Sequence, residues 1–297
     1  MEGGRQSRVF RLTVADRTSF VMRAVRCDRA VPLRDVVCAN LHNHLRPGHR
    51  PDEIVSLVEN PASGAIAFPI GATIMDHGYV WDGDGVTSWC LMEDLTGATL
   101  WRDGLSTTTC RALARTLAEL HRQPFPGMIR NFAAPVFQAD FRAWLHAYVA
   151  DLLAGMTARI LEPDDVARIH VAIDRIPCRL ALTHGDLHGG NVLIAEGVAR
   201  LIDWDEAGTA YAERDLIFVG YSIAGMERDR RRAAELHQAL REEYDLRAPG
   251  VSDDARLNLC AIVYLLERIG IFLDSPNRHL DPLLTDLADR IGRLPSS

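Results

Sequence analysis

The chain has 297 residues, 47% hydrophobic and 25% charged, the make-up of an ordinary globular protein with room for one large or two moderate domains. Its 33 basic and 40 acidic side chains leave a net charge of −7, which argues against nucleic acid or an anionic membrane as the main partner. The six cysteines, at 27, 38, 90, 110, 178 and 260, form no C-x-x-C pair, so they read as reduced thiols of a cytoplasmic protein and not as a disulfide frame.

The first residues, MEGGRQSR, lack the apolar centre of a signal peptide. Residues 8–14 and 19–26 are β-rich runs joined by Ala15-Asp16-Arg17-Thr18 and read as a hairpin. Helices are expected around 32–45 and 52–59. The longest uncharged run, Asn60 to Met75, is short and broken by Pro and Gly, so it is no membrane span. Ala65–Met75 and Thr87–Met92 read as strands, with Asp82-Gly83-Asp84-Gly85 turning between them. From Thr107 the pattern becomes helical. Leu113, Leu117 and Leu120 recur at i, i+4, i+7, and further amphipathic stretches cover 137–156 and 163–176. Helices are again expected near 212–224, 228–244, 253–273 and 280–292.

The chemistry concentrates between the last two groups of helices, in Leu182-Thr183-His184-Gly185-Asp186-Leu187-His188-Gly189-Gly190-Asn191-Val192-Leu193-Ile194 and, shortly after, Leu201-Ile202-Asp203-Trp204-Asp205. Residues 191–195 and 198–202 read as two short strands around a Glu196-Gly197 turn. That hairpin sets Asn191 opposite Ile202 and brings Asn191 and Asp203 together at its open end, with Asp186 facing the same point. Two oxygen ligands and a carboxylate base, with no thiolate, suit a hard cation such as Mg²⁺ bridging phosphate oxygens. A second reading takes His184, Asp186 and His188 as alternating ligands of a zinc hydrolase; it leaves Asn191 and Asp203 without a role.

His184, Asp186 and Asn191 keep the H-x-D-x-x-x-x-N spacing of the protein-kinase catalytic loop. The segment HGDLHGGNVLIAEGVARLIDWDEAGTAYAERDLIFVG resembles the aminoglycoside phosphotransferase family of small-molecule kinases, and IDWDEAGTAYAERDLIFVG is most similar to the spectinomycin phosphotransferases. The resemblance implies an α+β, two-lobed, kinase-like fold, with a nucleotide-binding lobe over 1–94 and a catalytic and substrate-binding lobe over 95–297. It implies ATP or GTP as phosphate donor, Asp186 as base, and Asn191 and Asp203 as Mg²⁺ ligands. Asp215 is implied as a structural carboxylate bracing the catalytic loop. Gly3, Gly4 and Ser7 fall where the family keeps a glycine loop over the phosphates, and Glu93-Asp94-Leu95 resembles the hinge between the lobes, where the backbone C=O of Glu93 and N–H of Leu95 would read the purine edge. His188 would contact phosphate or substrate.

The chain contains no lysine, and Arg23 stands where the family's strand-borne Lys meets the α- and β-phosphates. Arg binds phosphate through a planar fork that an ammonium does not have. The departure keeps a nucleotide-binding pseudokinase open beside an active kinase. The resemblance further implies an antibiotic hydroxyl as acceptor, with a primary metabolite as the alternative. An acceptor pocket walled by 137–156 and 253–274 would offer Asp205, Glu206, Glu267 and Asp274 to a cationic aminocyclitol, or Trp144 and Tyr264 to an uncharged sugar or nucleoside. No D-F-G or A-P-E segment follows Asp203, which disfavours a protein substrate.

Overall fold

A computed structural model describes residues 6–14, 18–28, 71, 74–82, 85–95, 97–100, 104–122, 141–156, 160–203, 208–273 and 280–294. The helices expected at 32–45 and 52–59 lie outside the described residues.

Alternating and β-branched runs at the N-terminus build one antiparallel sheet from β1 (Gln6–Thr13), β2 (Ser19–Asp28), β3 (Ile74–Asp82) and β4 (Gly85–Glu93), in the order β1-β2-β4-β3. The hairpin expected at 8–14 and 19–26 is present, and Arg23 sits mid-strand opposite Val9 and Cys90. The strand expected over 65–75 lies, apart from 71, 74 and 75, outside the described residues; the strand paired with β4 is Ile74–Asp82. Its sequence IMDHGYVWD mixes charged residues and Gly into an edge strand that needs no continuous apolar run, whereas the apolar stretch before it drew the expectation forward. Ser7, expected in a loop, already pairs with Val25 inside β1.

The remaining elements form a helical body. α1 (Thr107–Arg122), α2 (Phe141–Ala154) and α3 (Pro163–Arg175) precede the site. α4 (Glu213–Met226), α5 (Arg230–Arg247), α6 (Asp254–Leu273) and α7 (Asp281–Gly292) follow it. Each falls within a few residues of the sequence expectation. α5 starts on an N-cap, Asp229, whose side chain accepts from the N–H groups of Arg231 and Arg232, satisfying donors that a helix start leaves open. The leucine stripe of α1 is buried, with Leu113, Leu117 and Leu120 at most 1% exposed. It packs with Leu187, Val192 and Leu201 of the site region and with Leu236, Leu240 and Tyr244 of α5. A second core joins α2, α3, α6 and α7 around Phe141, Ile173, Leu266 and Ile291.

Between these cores run β6 (Leu180–Thr183), β7 (Val192–Ala195), β8 (Val198–Leu201) and β9 (Gly208–Tyr211). β6 pairs with β9, and β7 pairs with β8 and with the two-residue β5 (Ala98–Thr99). Both residues of the β7–β8 turn have positive φ, Glu196 at 52° and Gly197 at 76°, the type I′ geometry that matches strand twist. Gly97 is needed for a different reason: a Cβ there would meet the Ile194 carbonyl oxygen at 3.0 Å. The connection from the first sheet therefore presses directly against β7. No helix among the described residues is long and apolar enough to cross a membrane.

Candidate active site

The loop from His184 to Asn191 joins β6 to β7, and its shape is set by backbone groups that find side-chain partners. Asp215, on the first turn of α4, accepts from the N–H of His184 through Oδ2 at 2.8 Å and from the N–H of Gly185 through Oδ1 at 2.9 Å. Gly185 takes φ 85° between the two functional residues, a region where a Cβ is strained. His121 Nε2 lies 3.1 Å from Asp215 Oδ2, and Tyr244 Oη lies 2.8 Å from His121 Nδ1. Because a carboxylate only accepts, the imidazole proton belongs on Nε2, and Tyr244 donates to Nδ1. Burial alone would raise the Asp215 pKa; the hydrogen bond and electrostatic pull of His121, the pull of His184 and the Gly185 N–H outweigh it, and the carboxyl is held below its ordinary range. This is the bracing the sequence implied for Asp215.

His184 is fully buried, and its Nε2–H donates to the Ile202 carbonyl at 2.9 Å, tying the loop to the end of β8. Burial lowers its pKa, against the opposing pull of Asp215 and the Ile202 carbonyl. A neutral, buried imidazole whose Nε2–H is spent on a backbone carbonyl is an anchor and not a zinc ligand. No group of three or more His, Cys, Asp or Glu residues that would hold a metal occurs among the described residues.

The hairpin closes as its sequence required. Ile202 N–H donates to the Asn191 carbonyl at 3.0 Å, which leaves Asn191 and Asp203 side by side at the open end. Asn191 Nδ2 donates to the Asp186 carbonyl at 2.9 Å and lies 3.4 Å from Asp186 Oδ2. With its amide nitrogen turned to Asp186, Asn191 has Oδ1 left for a cation. Asp203 has φ 64°, uncommon for a non-glycine residue, and its side chain is 52% exposed. Arg23 reaches in from β2, its side chain 11% exposed and Nη1 4.0 Å from Asp203 Oδ1. Asp186 and Asn191 thus form one contact pair and Asp203 and Arg23 another, and the Ile202–Asn191 backbone bond sets the two pairs at the same end of the hairpin. Two oxygen donors of this kind fit a hard divalent ion that takes its other ligands from phosphate and water; a soft metal would need thiolate or imidazole.

The connection between the sheet and the helical body is held on both sides. Glu93 at the end of β4 accepts from Arg200 Nη1 of β8 at 3.2 Å. Asp94 accepts from Ser19 Oγ at 2.6 Å and pairs with Arg11 at 2.9 Å. Leu95 follows, half-buried. Gly3, Gly4, Asp205, Glu206 and Asp274 lie outside the described residues.

On the α2–α6 side, Trp144 stacks on Tyr148 at 4.9 Å. Glu267 Oε1 accepts from Tyr148 Oη at 2.7 Å and Arg214 Nη1 at 3.0 Å. The spare carboxylate expected at Glu267 is therefore engaged within the fold. Tyr264 stacks on Tyr221 at 4.5 Å, meets Phe218 edge-on, and carries the Arg268 guanidinium 5.0 Å above its ring. Tyr148, Arg214, Arg268 and Ser222, whose Oγ accepts from the Gly189 N–H at 3.1 Å, escaped the sequence reading. Apart from Arg214, which lies in the ERDLIFVG run, none belongs to a local motif, and each makes a contact with a partner distant in the chain.

Comparison with known proteins points the same way. The model of the phosphotransferase enzyme family (APH) matches residues 2–249. An amicoumacin kinase in complex with AMP-PNP, Ca²⁺ and its antibiotic has a TM-score of 0.61 at 14% identity, over 97% of this chain and 84% of that one. A thermostable mutant of aminoglycoside phosphotransferase APH(4)-Ia, in ternary complex with AMP-PNP and hygromycin B, has a TM-score of 0.59 at 17% identity, over 99% and 90%. Spectinomycin phosphotransferase APH(9)-Ia with ADP and spectinomycin has 0.52 at 15% identity, over 97% and 87%. No curated protein sequence matches.

Proposed function

Starting from a chain that belongs to the APH phosphotransferase enzyme family, a small-molecule kinase of two-lobed α+β fold, we propose that it transfers the terminal phosphate of ATP or GTP to a hydroxyl of an antibiotic. The observation that supports this reading is the pair of contacts at the open end of the β7–β8 hairpin, Asn191 with Asp186 and Arg23 with Asp203. The three structural relatives described above were all captured with an antibiotic and a nucleotide or nucleotide analogue, which supports the choice of acceptor class.

In this reading Asp186 orients the acceptor hydroxyl and takes its proton as the oxygen attacks in line. Arg23 lies along the phosphates, where a guanidinium fork makes two charge-assisted hydrogen bonds to phosphate oxygens. Asn191 and Asp203 would hold Mg²⁺, which would supply neutralisation of phosphate charge. The Asn191 amide contacts the Asp186 carbonyl and carboxylate, so one side chain spans the metal position and the base. Catalysis rests on positioning and electrostatics more than on covalent chemistry.

The test is a screen of antibiotics and of primary metabolites with hydroxyl groups, run with ATP and GTP in parallel and read by phosphate transfer. Preferred transfer to an antibiotic supports the reading. Preference for a metabolite such as choline or homoserine over every antibiotic overturns the acceptor class, and nucleotide binding without transfer to any compound overturns the kinase activity.

A further inference from the structure

His188 lies two residues beyond Asp186, and the backbone fixes how its ring presents itself. The N–H of Gly190 donates to His188 Nδ1 at 3.0 Å. An Nδ1 that accepts carries no proton, so the neutral ring is the Nε2–H tautomer. That Nε2 faces Asp186 Oδ2 at 3.7 Å, one small side-chain rotation from a hydrogen bond, and catalytic contacts of this kind commonly tighten only when substrate is bound. Asn191 Nδ2 approaches the same oxygen, Oδ2, at 3.4 Å. Among the described residues, both side-chain contacts of the Asp186 carboxylate therefore fall on Oδ2 and none on Oδ1. The loop around the ring is itself held: His188 N–H donates to the Asp186 carbonyl at 3.0 Å, Asn191 N–H to the His188 carbonyl at 2.9 Å, and Gly189 N–H to Ser222 of α4.

Resting on the kinase reading above, we propose that His188 is a positioning residue for Asp186. Its Nε2–H, set by Gly190, holds Oδ2 together with Asn191 and so presents Oδ1 to the acceptor hydroxyl. The role differs from contact with phosphate or substrate, the sequence expectation for His188. A positioning residue acts on the turnover step, whereas a phosphate contact acts on nucleotide affinity. It also differs from metal ligation, because the nitrogen that faces the site carries a proton.

Two variants separate the roles. His188→Gln keeps an N–H donor close to the Nε2 position, and His188→Leu removes it. Kinetics are read with Mg·ATP and the acceptor found by screening, with Mg·ATP hydrolysis to water as the assay that needs no acceptor. The expectation is that His188→Leu lowers kcat about tenfold or more, that the KM for ATP stays within about twofold, and that His188→Gln recovers most of the loss; these are the sizes of a lost orienting contact. A raised KM or Kd for ATP with kcat kept, or a Gln variant no better than Leu, overturns the proposal. A second readout does not depend on activity: long-range ¹⁵N–¹H NMR of the nucleotide-free protein is expected to show His188 protonated at Nε2 and bare at Nδ1, and the opposite tautomer overturns it. If the wild-type chain transfers phosphate to no acceptor, the kinase reading falls, while the tautomer still decides whether His188 is set toward Asp186.

Discussion

The catalytic loop and the α2–α6 wall are both rich in half-buried polar side chains, yet they are organised oppositely. In the loop, Asp215, His184 and Gly185 engage backbone groups and hold a short segment in one shape, and Asp186 Oδ1 and Asp203 are left facing outward. In the wall, side chains engage each other: Trp144 on Tyr148, Tyr148 and Arg214 on Glu267, Tyr221 and Arg268 on Tyr264. The loop presents unspent functional groups on a rigid frame, while the wall neutralises its own charge. A catalytic centre built the first way is fixed for one reaction, and a wall built the second way is set for shape more than for charge.

The sharpest way to break this contrast is Asp186→Asn. If the loop frame exists to present that carboxylate, removing its basicity with shape kept lowers kcat by about 10²–10⁴-fold, with thermal stability and ATP Kd unchanged. A variant that keeps more than about a tenth of wild-type kcat removes Asp186 from the base role.

Asp215→Ala attacks the frame itself. It strands the N–H groups of His184 and Gly185 and the His121–Tyr244 pair in a fully buried site, and breaking a buried, charged network of this kind costs roughly 3–5 kcal/mol. Denaturant unfolding measures it. The sign of the acid dependence follows from the lowered Asp215 pKa: the carboxylate's stabilisation is present above the ordinary carboxylate range and drains away as pH falls through that range and below. Asp215→Asn is expected to flatten that acid slope. Equal slopes in wild type and variant sink the assignment.

The same contrast explains what the sequence made legible. Asp186, Asn191 and Asp203 are brought together by a loop of fixed length and a hairpin whose turn is written in Glu196-Gly197, so spacing alone placed them. Helix positions followed from the leucine spacing of α1 and its counterparts. The partners of Glu267 were not legible, because Tyr148 and Arg214 lie on two other helices and no periodicity announces them. The β3 strand was missed for a related reason: its pairing with β4 is set by register across the Asp82–Gly85 turn, and its own composition is mixed. Contacts enforced within about 20 residues were readable, and those chosen by tertiary packing were not.

Arg23→Ala tests whether the opposite sheet belongs to the catalytic centre. A guanidinium that binds phosphate contributes about 1.5–3 kcal/mol, so ATP affinity or kcat/KM is expected to fall roughly 10- to 100-fold. Arg23→Lys restores only part, since an ammonium lacks the planar fork. Isothermal titration with ATP and with a non-hydrolysable analogue separates affinity from turnover. If neither changes, Arg23 is only a packed strand residue that happens to lie 4.0 Å from Asp203.

The smallest expected effect is at Glu267, where the wall's half of the comparison is decided. Its side chain is 12% exposed and already accepts from Arg214 and Tyr148. An acceptor amine would approach a carboxylate whose charge already faces an arginine, and that largely buried pair leaves little field for a third charge. Glu267→Gln keeps the shape and an acceptor oxygen for Tyr148. Its expected outcome is a KM for an amine-bearing acceptor, spectinomycin for instance, within about twofold of wild type, with a stability loss of about 1 kcal/mol from the weakened Arg214 contact. A tenfold rise in KM, seen for amine-bearing acceptors and absent for uncharged sugars, would show that Glu267 turns from Arg214 to the substrate, and the wall would then select by charge as the loop does.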